Sequence, residues 1–184
     1  MRAVVVYESM YGNTHLIADA IGTGLAQGLD VTVVPVAEAS GAVVARADLV
    51  VVGGPTHVHG MSRSSTRQGA ADAAAKTAGE LTLEPRADGP GLREWLDALG
   101  KSRPHAKAAA FDTRIAAPAA VTGRASKSVS RELCHHGFDL VTGPESFLVT
   151  KENQLVAREG DRARMWGARL AALVSPSGQP AGRS

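Results

Sequence analysis

Three runs of β-branched residues, separated by helix-like stretches, constrain this chain more than anything else in it. "AVVVY" at 3–7, "VTVVPV" at 31–36 and "DLVVVGG" at 48–54 are near-continuous apolar segments. Such runs suit strands covered on both faces, as in a parallel sheet. Between the first two, Ile17, Ile21 and Leu25 recur at i, i+4 and i+8 and predict a helix over 14–29. A weaker helix is expected at 38–47. A βαβαβ start implies parallel strands joined by right-handed crossovers. Pro35 places the end of the second strand at a sheet edge, where a missing donor is tolerated.

The same alternation continues less regularly. The spacing predicts helices over 62–76, 92–99, 126–136 and 160–174, and a turn-rich, exposed stretch at 78–91. Residues 105–111 are poor in strand formers, yet their place in the alternation makes them a strand. Residues 112–122 read as a loop, 140–150 as containing the last strand, and Gly137 as a helix C-cap. Phe111 and Phe147 are expected in the core. Residues 1–174 form one domain with an insert at 62–91, which is a lid, a partner surface or a dimer contact. The Pro/Gly/Ser tail at 175–184 is expected to be disordered.

Whole-chain properties exclude several classes. The formal charge of +2 gives little drive toward nucleic acid. A single cysteine, Cys134, allows no internal disulfide. No secretory apolar region follows Met1, and no run of ~18 apolar residues is present. A cytoplasmic protein without a membrane span is the expectation.

In a doubly wound sheet, ligands bind beyond the carboxyl ends of the strands, at the switch in strand order. The loops after Tyr7, Val52 and Phe111 are therefore the candidates. "SMYGNT" at 9–14 could hold a phosphate through backbone N–H groups at a helix start, with Gly12 free to adopt φ > 0. Ser9, Asn13 and Thr14 would add side-chain donors. A plain turn with Thr14 as N-cap is the competing reading. No Walker A pattern occurs. "GTGLAQG" at 22–28 lies within a helix and lacks its third glycine, so it is rejected as a dinucleotide loop; its glycines are expected to allow close packing.

The segment "YESMYGNT" resembles the phosphate loop of the flavodoxins: Ser9, Gly12, Asn13 and Thr14 match it, and Tyr11 departs at its internal Thr. The order of elements is similar over about 2–174. The resemblance implies a flavodoxin-like α/β fold, a doubly wound five-stranded parallel sheet of order 2-1-3-4-5 with helices on both faces. It implies FMN as cofactor, held by Ser9, Met10, Tyr11, Gly12, Asn13 and Thr14, with Pro55, Thr56, His57, Asp112, Thr113 and Arg114 bordering the ring. It further implies an electron carrier or small flavin-dependent oxidoreductase, served by a redox partner protein or a small-molecule electron acceptor.

The ring loops depart from the family pattern. The loop after the third strand offers His57, Val58 and His59 and no Trp or Tyr; its histidines either lie against the ring or are solvated. H-x-H provides only two ligands, so no metal site is expected. The fourth-strand loop offers Arg114 where an aromatic in an acidic setting is usual. Its charge would stabilise an anionic reduced flavin and raise the potential. Arg63, Arg67 and Arg114 suggest a basic rim suited to anionic partners. The missing aromatics keep a second reading open, a flavodoxin-fold binding or regulatory module that has lost FMN. A Ser/His hydrolase is disfavoured, since no G-x-S-x-G elbow is present. In "CHH" at 134–136, neighbours on a helix diverge too far to share an ion.

Overall fold

The computed structural model describes residues 1–57, 60–76, 82–85, 87 and 89–175. The elements run β1 (Arg2–Tyr7), α1 (Asn13–Leu25), β2 (Asp30–Pro35), α2 (Gly41–Ala45), β3 (Leu49–Pro55), α3 (Ser64–Lys76), α4 (Leu92–Ala98), β4 (Lys107–Ile115), α5 (Ala119–Thr122), α6 (Ala125–His135), β5 (Asp139–Leu140), β6 (Glu145–Val149) and α7 (Glu159–Val174). The sheet is parallel, in the order β2-β1-β3-β4-β5, with β6 also on β4. The fifth column is thus one expected strand broken in two. β5 pairs with Lys107 and Ala108, and β6 with 111–115. Pro35 closes the edge strand β2, as its missing donor requires.

Alternation along each strand splits the core into two layers. Val5, Tyr7, Leu49, Val51, Ala109 and Phe111 face one way, against Ile17, Ile21 and Leu25 of α1 and Trp166 and Leu170 of α7. Val4, Val6, Val50, Val52, Ala108 and Ala110 face the other, against Leu92 and Leu96 of α4 and Val129 and Leu133 of α6. The alanines that weaken β4 as a strand are wholly buried, so tertiary burial overrides propensity here.

Close approaches are made at glycines. A Cβ on Gly22 would lie 2.6 Å from Val33 of β2, and one on Gly24 would lie 2.0 Å from the Arg164 carbonyl oxygen of α7. The glycines of 22–28 therefore serve both the sheet and a helix–helix contact. Gly137, at φ 91°, follows α6. Its N–H reaches the Cys134 carbonyl, and the Phe138 N–H reaches Leu133, which is a Schellman closure.

Several boundaries differ from the sequence expectation. Residues 112–115, expected in a loop, continue β4, because β6 pairs beside them and satisfies their backbone. Residues 119–122 add the short α5. The stretch at 78–91 is not uniformly exposed: Ala87 is buried and Glu84 half-buried, where they fold against the β1–α1 loop. Val58, His59 and residues 176–184 lie outside the described residues.

Candidate functional site

Each of the loops singled out above leaves the carboxyl end of its strand, and they meet at one pocket of about 190 Å³. Ser9, Met10, Tyr11, Asn13 and Thr14 line it from the first loop. Pro55, Thr56 and His57 line it from the β3 end, and Thr113, Arg114 and Ile115 from β4. Val149 and Asn153 complete the wall. Gly12 and Asp112 are not part of the lining.

Gly12 instead makes the turn. It is the N-cap of α1, in the left-handed conformation at φ 92° and ψ −23°. A residue with a Cβ is strained there, so glycine is the natural occupant. Its N–H donates to Ser9 Oγ at 3.1 Å. Thr14 is not the N-cap, which the sequence had suggested. It lies inside the first turn, buried, with Oγ1 2.7 Å from Thr113 Oγ1. The first N–H groups of α1 have no partner within the helix and carry its partial positive charge.

The polar side chains of the site mostly tie loops to one another. Asn13 Nδ2 donates to the carbonyl and to Oδ1 of Asn153, each at 2.9 Å. Asn153 stands at φ 59°. Tyr11 Oη donates to the Ala70 carbonyl of α3 at 2.8 Å. Thr56 N–H donates to the Thr113 carbonyl, and Thr56 Oγ1 accepts from Ala125 N–H at 2.9 Å. Asp112 is fully buried, and its Oδ2 accepts from Ser126 N–H at 2.8 Å. Thr56 and Asp112 therefore satisfy the start of α6. Ser126 lies inside the helix, whose N-cap is Arg124.

Arg114 borders the pocket with its charge already engaged. Nη1 donates to the Ile115 and Ala117 carbonyls at 3.3 and 2.6 Å and to Thr122 Oγ1 at 3.3 Å. Its Nε is shielded from solvent with no partner. Arg67 does not contribute to a basic rim. It is buried on α3 and bonded to Ser62 Oγ and, through both terminal nitrogens, to the Glu94 carboxylate. A guanidinium taken out of water needs such a partner. Arg63 remains exposed.

His57 is half-buried, and its backbone is pinned by reciprocal bonds with Gly60 of 2.8 and 2.9 Å. Burial, above all, pushes its imidazole below the ordinary histidine range; Glu8 acts upward and Arg67 downward. On the other side of the first loop, His15 stacks on Tyr7 at 4.7 Å and lies between Glu84 and Asp19, at 3.1 and 3.5 Å. Burial, with Glu84, Asp19 and Glu38, pushes the Tyr7 phenol up to about 12. Glu84 N–H donates to the Met10 carbonyl at 2.8 Å, which anchors the insert on the loop.

A Flavodoxin family model matches residues 5–84. Among solved structures, a flavodoxin from the domain Archaea is 20% identical at a TM-score of 0.63, over 96% of this chain and 100% of the other. Together with the strand order, this decides the fold. The chain has a flavodoxin-like fold. Oxidised Flavodoxin 1 from Bacillus cereus is 18% identical at a TM-score of 0.62, over 94% and 98%. A flavodoxin, WrbA-like protein from Agrobacterium tumefaciens is 20% identical at 0.56, over 94% and 96%. No curated protein matches the sequence. Among the described residues of the flavodoxin-like chain, no helix is long and apolar enough to cross a membrane, and no group of three His, Cys, Asp or Glu could hold a metal.

Ile115, Val149, Asn153, Glu8 and Glu84 had no assigned part in the sequence reading. Of these, only Asn153 had a local cue, a turn-former in "KENQ".

Proposed function

We propose that this flavodoxin-like protein binds FMN and works as an electron carrier or a small flavin-dependent oxidoreductase. The observation that carries the reading is the meeting of the β1, β3 and β4 loops around one pocket, beside a helix start turned by a left-handed Gly12. The residues fit the group. A phosphate dianion would be held by the N–H groups at the start of α1 and by the Ser9 hydroxyl, without a Lys. Asn13 and Thr14, locked by Asn153 and Thr113, would keep that cradle shaped before binding. Pro55, Thr56, His57, Thr113 and Arg114 would border the ring, with Asp112 fixing the strand end from beneath. The flavin supplies the redox chemistry when bound; the chain orients it and sets the charge around it.

The visible spectrum tests this directly. Protein mixed with FMN and desalted should retain flavin bands; no retention, even from excess FMN, sinks the reading. Asn13→Ala with Thr14→Ala removes two loop-fixing contacts of about 1 kcal/mol or more each. The expected result is FMN affinity weakened by roughly tenfold to hundredfold, with the thermal melt of the free protein separating this from unfolding. The guanidinium of Arg114 should also stabilise negative charge on the ring. Arg114→Ala is therefore expected to make the potential of bound FMN more negative in a redox titration, and an unchanged potential refutes that role.

A second reading, a binding or regulatory module without flavin, is favoured by two observations. The described ring-loop residues contain no Trp or Tyr, and the Glu84 carboxylate lies 3.2 Å from where a Cβ on Gly12 would be. A carboxylate there opposes a dianion. The same desalting experiment separates the two.

A further inference from the structure

Beside Gly54, near the end of β3, lies a buried polar group with no part in the site described above. Glu8, one residue past β1, is buried. Its Oε2 accepts from Leu92 N–H at 2.7 Å, while Oε1 is closed to solvent and has no partner. His57 lines the pocket, and its Nε2 is likewise closed to solvent without a partner. A carboxylate oxygen and an imidazole nitrogen each left unsatisfied are costly, and a charge on the imidazole would be favoured by the Glu8 carboxylate.

We propose that His57 is the redox-linked proton acceptor of the flavin site, with the Glu8 carboxylate as the charge that stabilises its protonated form. This rests on the FMN reading above. Two charged groups act on His57, Glu8 and Arg67, while Arg114 and Asp112 of the neighbouring strand are engaged elsewhere. Glu8 is on the first loop, and Arg67 on α3 is largely offset by Glu94 on α4. Arg114 ends β4 with its charge on carbonyls, and Asp112 is bonded at the α6 start. Burial leaves the imidazole neutral while the ring is neutral. Bound FMN, once an external one-electron donor had delivered two electrons, would take up one proton and keep one negative charge. His57 then takes one further proton from water. Two electrons and two protons enter, and both protons leave on reoxidation. A negative charge a few ångströms away strengthens proton binding by an imidazole in a low-dielectric site.

The test uses full-length protein loaded with FMN and histidine-labelled for NMR, titrated with pH in the oxidised state and after dithionite reduction. The His57→Gln spectrum assigns the His57 signals. The expected result is a proton affinity of His57 at least tenfold higher in the reduced state. In Glu8→Gln, both states should titrate at lower pH. In parallel, the midpoint potential of the wild type should depend on pH by one proton more per electron pair than that of His57→Gln, across the range where His57 titrates. A His57 that titrates identically in both redox states overturns the proposal, even if FMN stays bound. So does an unchanged slope in His57→Gln. Failure of the wild type to retain FMN overturns the proposal and the FMN reading together.

Discussion

Gly24→Ala should destabilise the protein by about 3 kcal/mol or more, although alanine is normally the better helix former. In an exposed helix the exchange would be favourable by up to ~1 kcal/mol. Here the new Cβ would stand 2.0 Å from the Arg164 carbonyl oxygen and 2.8 Å from the Ala168 nitrogen. Both are backbone atoms of α7, so no rotamer change relieves the clash. From the opposite side, a Cβ on Gly167 would stand 2.2 Å from the Ile21 carbonyl oxygen. α1 and α7 would have to move apart, uncovering Ile21, Leu25 and Leu170, and overpacking against backbone falls at the upper end of its usual 1–3 kcal/mol. For a chain of this size, about 3 kcal/mol corresponds to a fall in Tm of roughly 6–12 °C. Gly160→Ala is the control. It lies in α7 with nothing within 4 Å of its Cβ, and it should leave Tm unchanged or raise it. A Gly24→Ala protein melting with the wild type would disprove the contact.

Gly53→Ala should be comparably damaging and should also disturb the site. Gly53 pairs across the sheet with Phe111, and an added Cβ would lie 2.4 Å from two carbons of that ring. The ring cannot swing away freely: Phe147 and Trp166 meet it edge-on at 6.2 and 6.4 Å. A loss of about 3 kcal/mol is expected. Pro55, Thr56 and His57 follow directly, so strain at Gly53 should weaken FMN binding beyond the loss of stability. Phe111→Leu creates room, and the pair Gly53→Ala with Phe111→Leu should therefore be more stable than the sum of the single changes implies. Strict additivity in denaturant melts would show that Gly53 and Phe111 do not compete for the same space.

Much of the fold was readable because strand and helix periods differ and each buried run carries its own. β1, β2, β3 and α1 fall within a few residues of their expected places. The end of β4 was unreadable locally, because 112–115 are extended by pairing with β6, some thirty residues on, and in part with the end of β3. The site divides in the same way. The first loop was visible because Ser9, Gly12, Asn13 and Thr14 stand together. Yet Thr14, open in the sequence between a phosphate donor and a helix cap, is not the cap, since its hydroxyl partner is Thr113. Arg67 was misread as rim charge, since Glu94 neutralises it from another helix. Glu8, buried against Leu92, gives no pattern at all. A polar residue whose partner lies far along the chain looks the same in sequence as a solvated one.

The broken fifth column also bears on how this chain avoids sticking to its own copies. Exposed sheet margins invite strand addition and aggregation. On one margin β2 ends at Pro35, which cannot donate. On the other, β5 offers only two residues. The outer side of β6 is taken by the returning chain, where Thr150 N–H reaches the Gln154 carbonyl and Val156 N–H reaches Leu148. Val149 bridges Leu155 there in antiparallel sense. An intruding strand would find no long unpaired ladder at that margin. The same hairpin carries Asn153 to Asn13, so one turn both seals the sheet against self-association and closes the wall of the pocket.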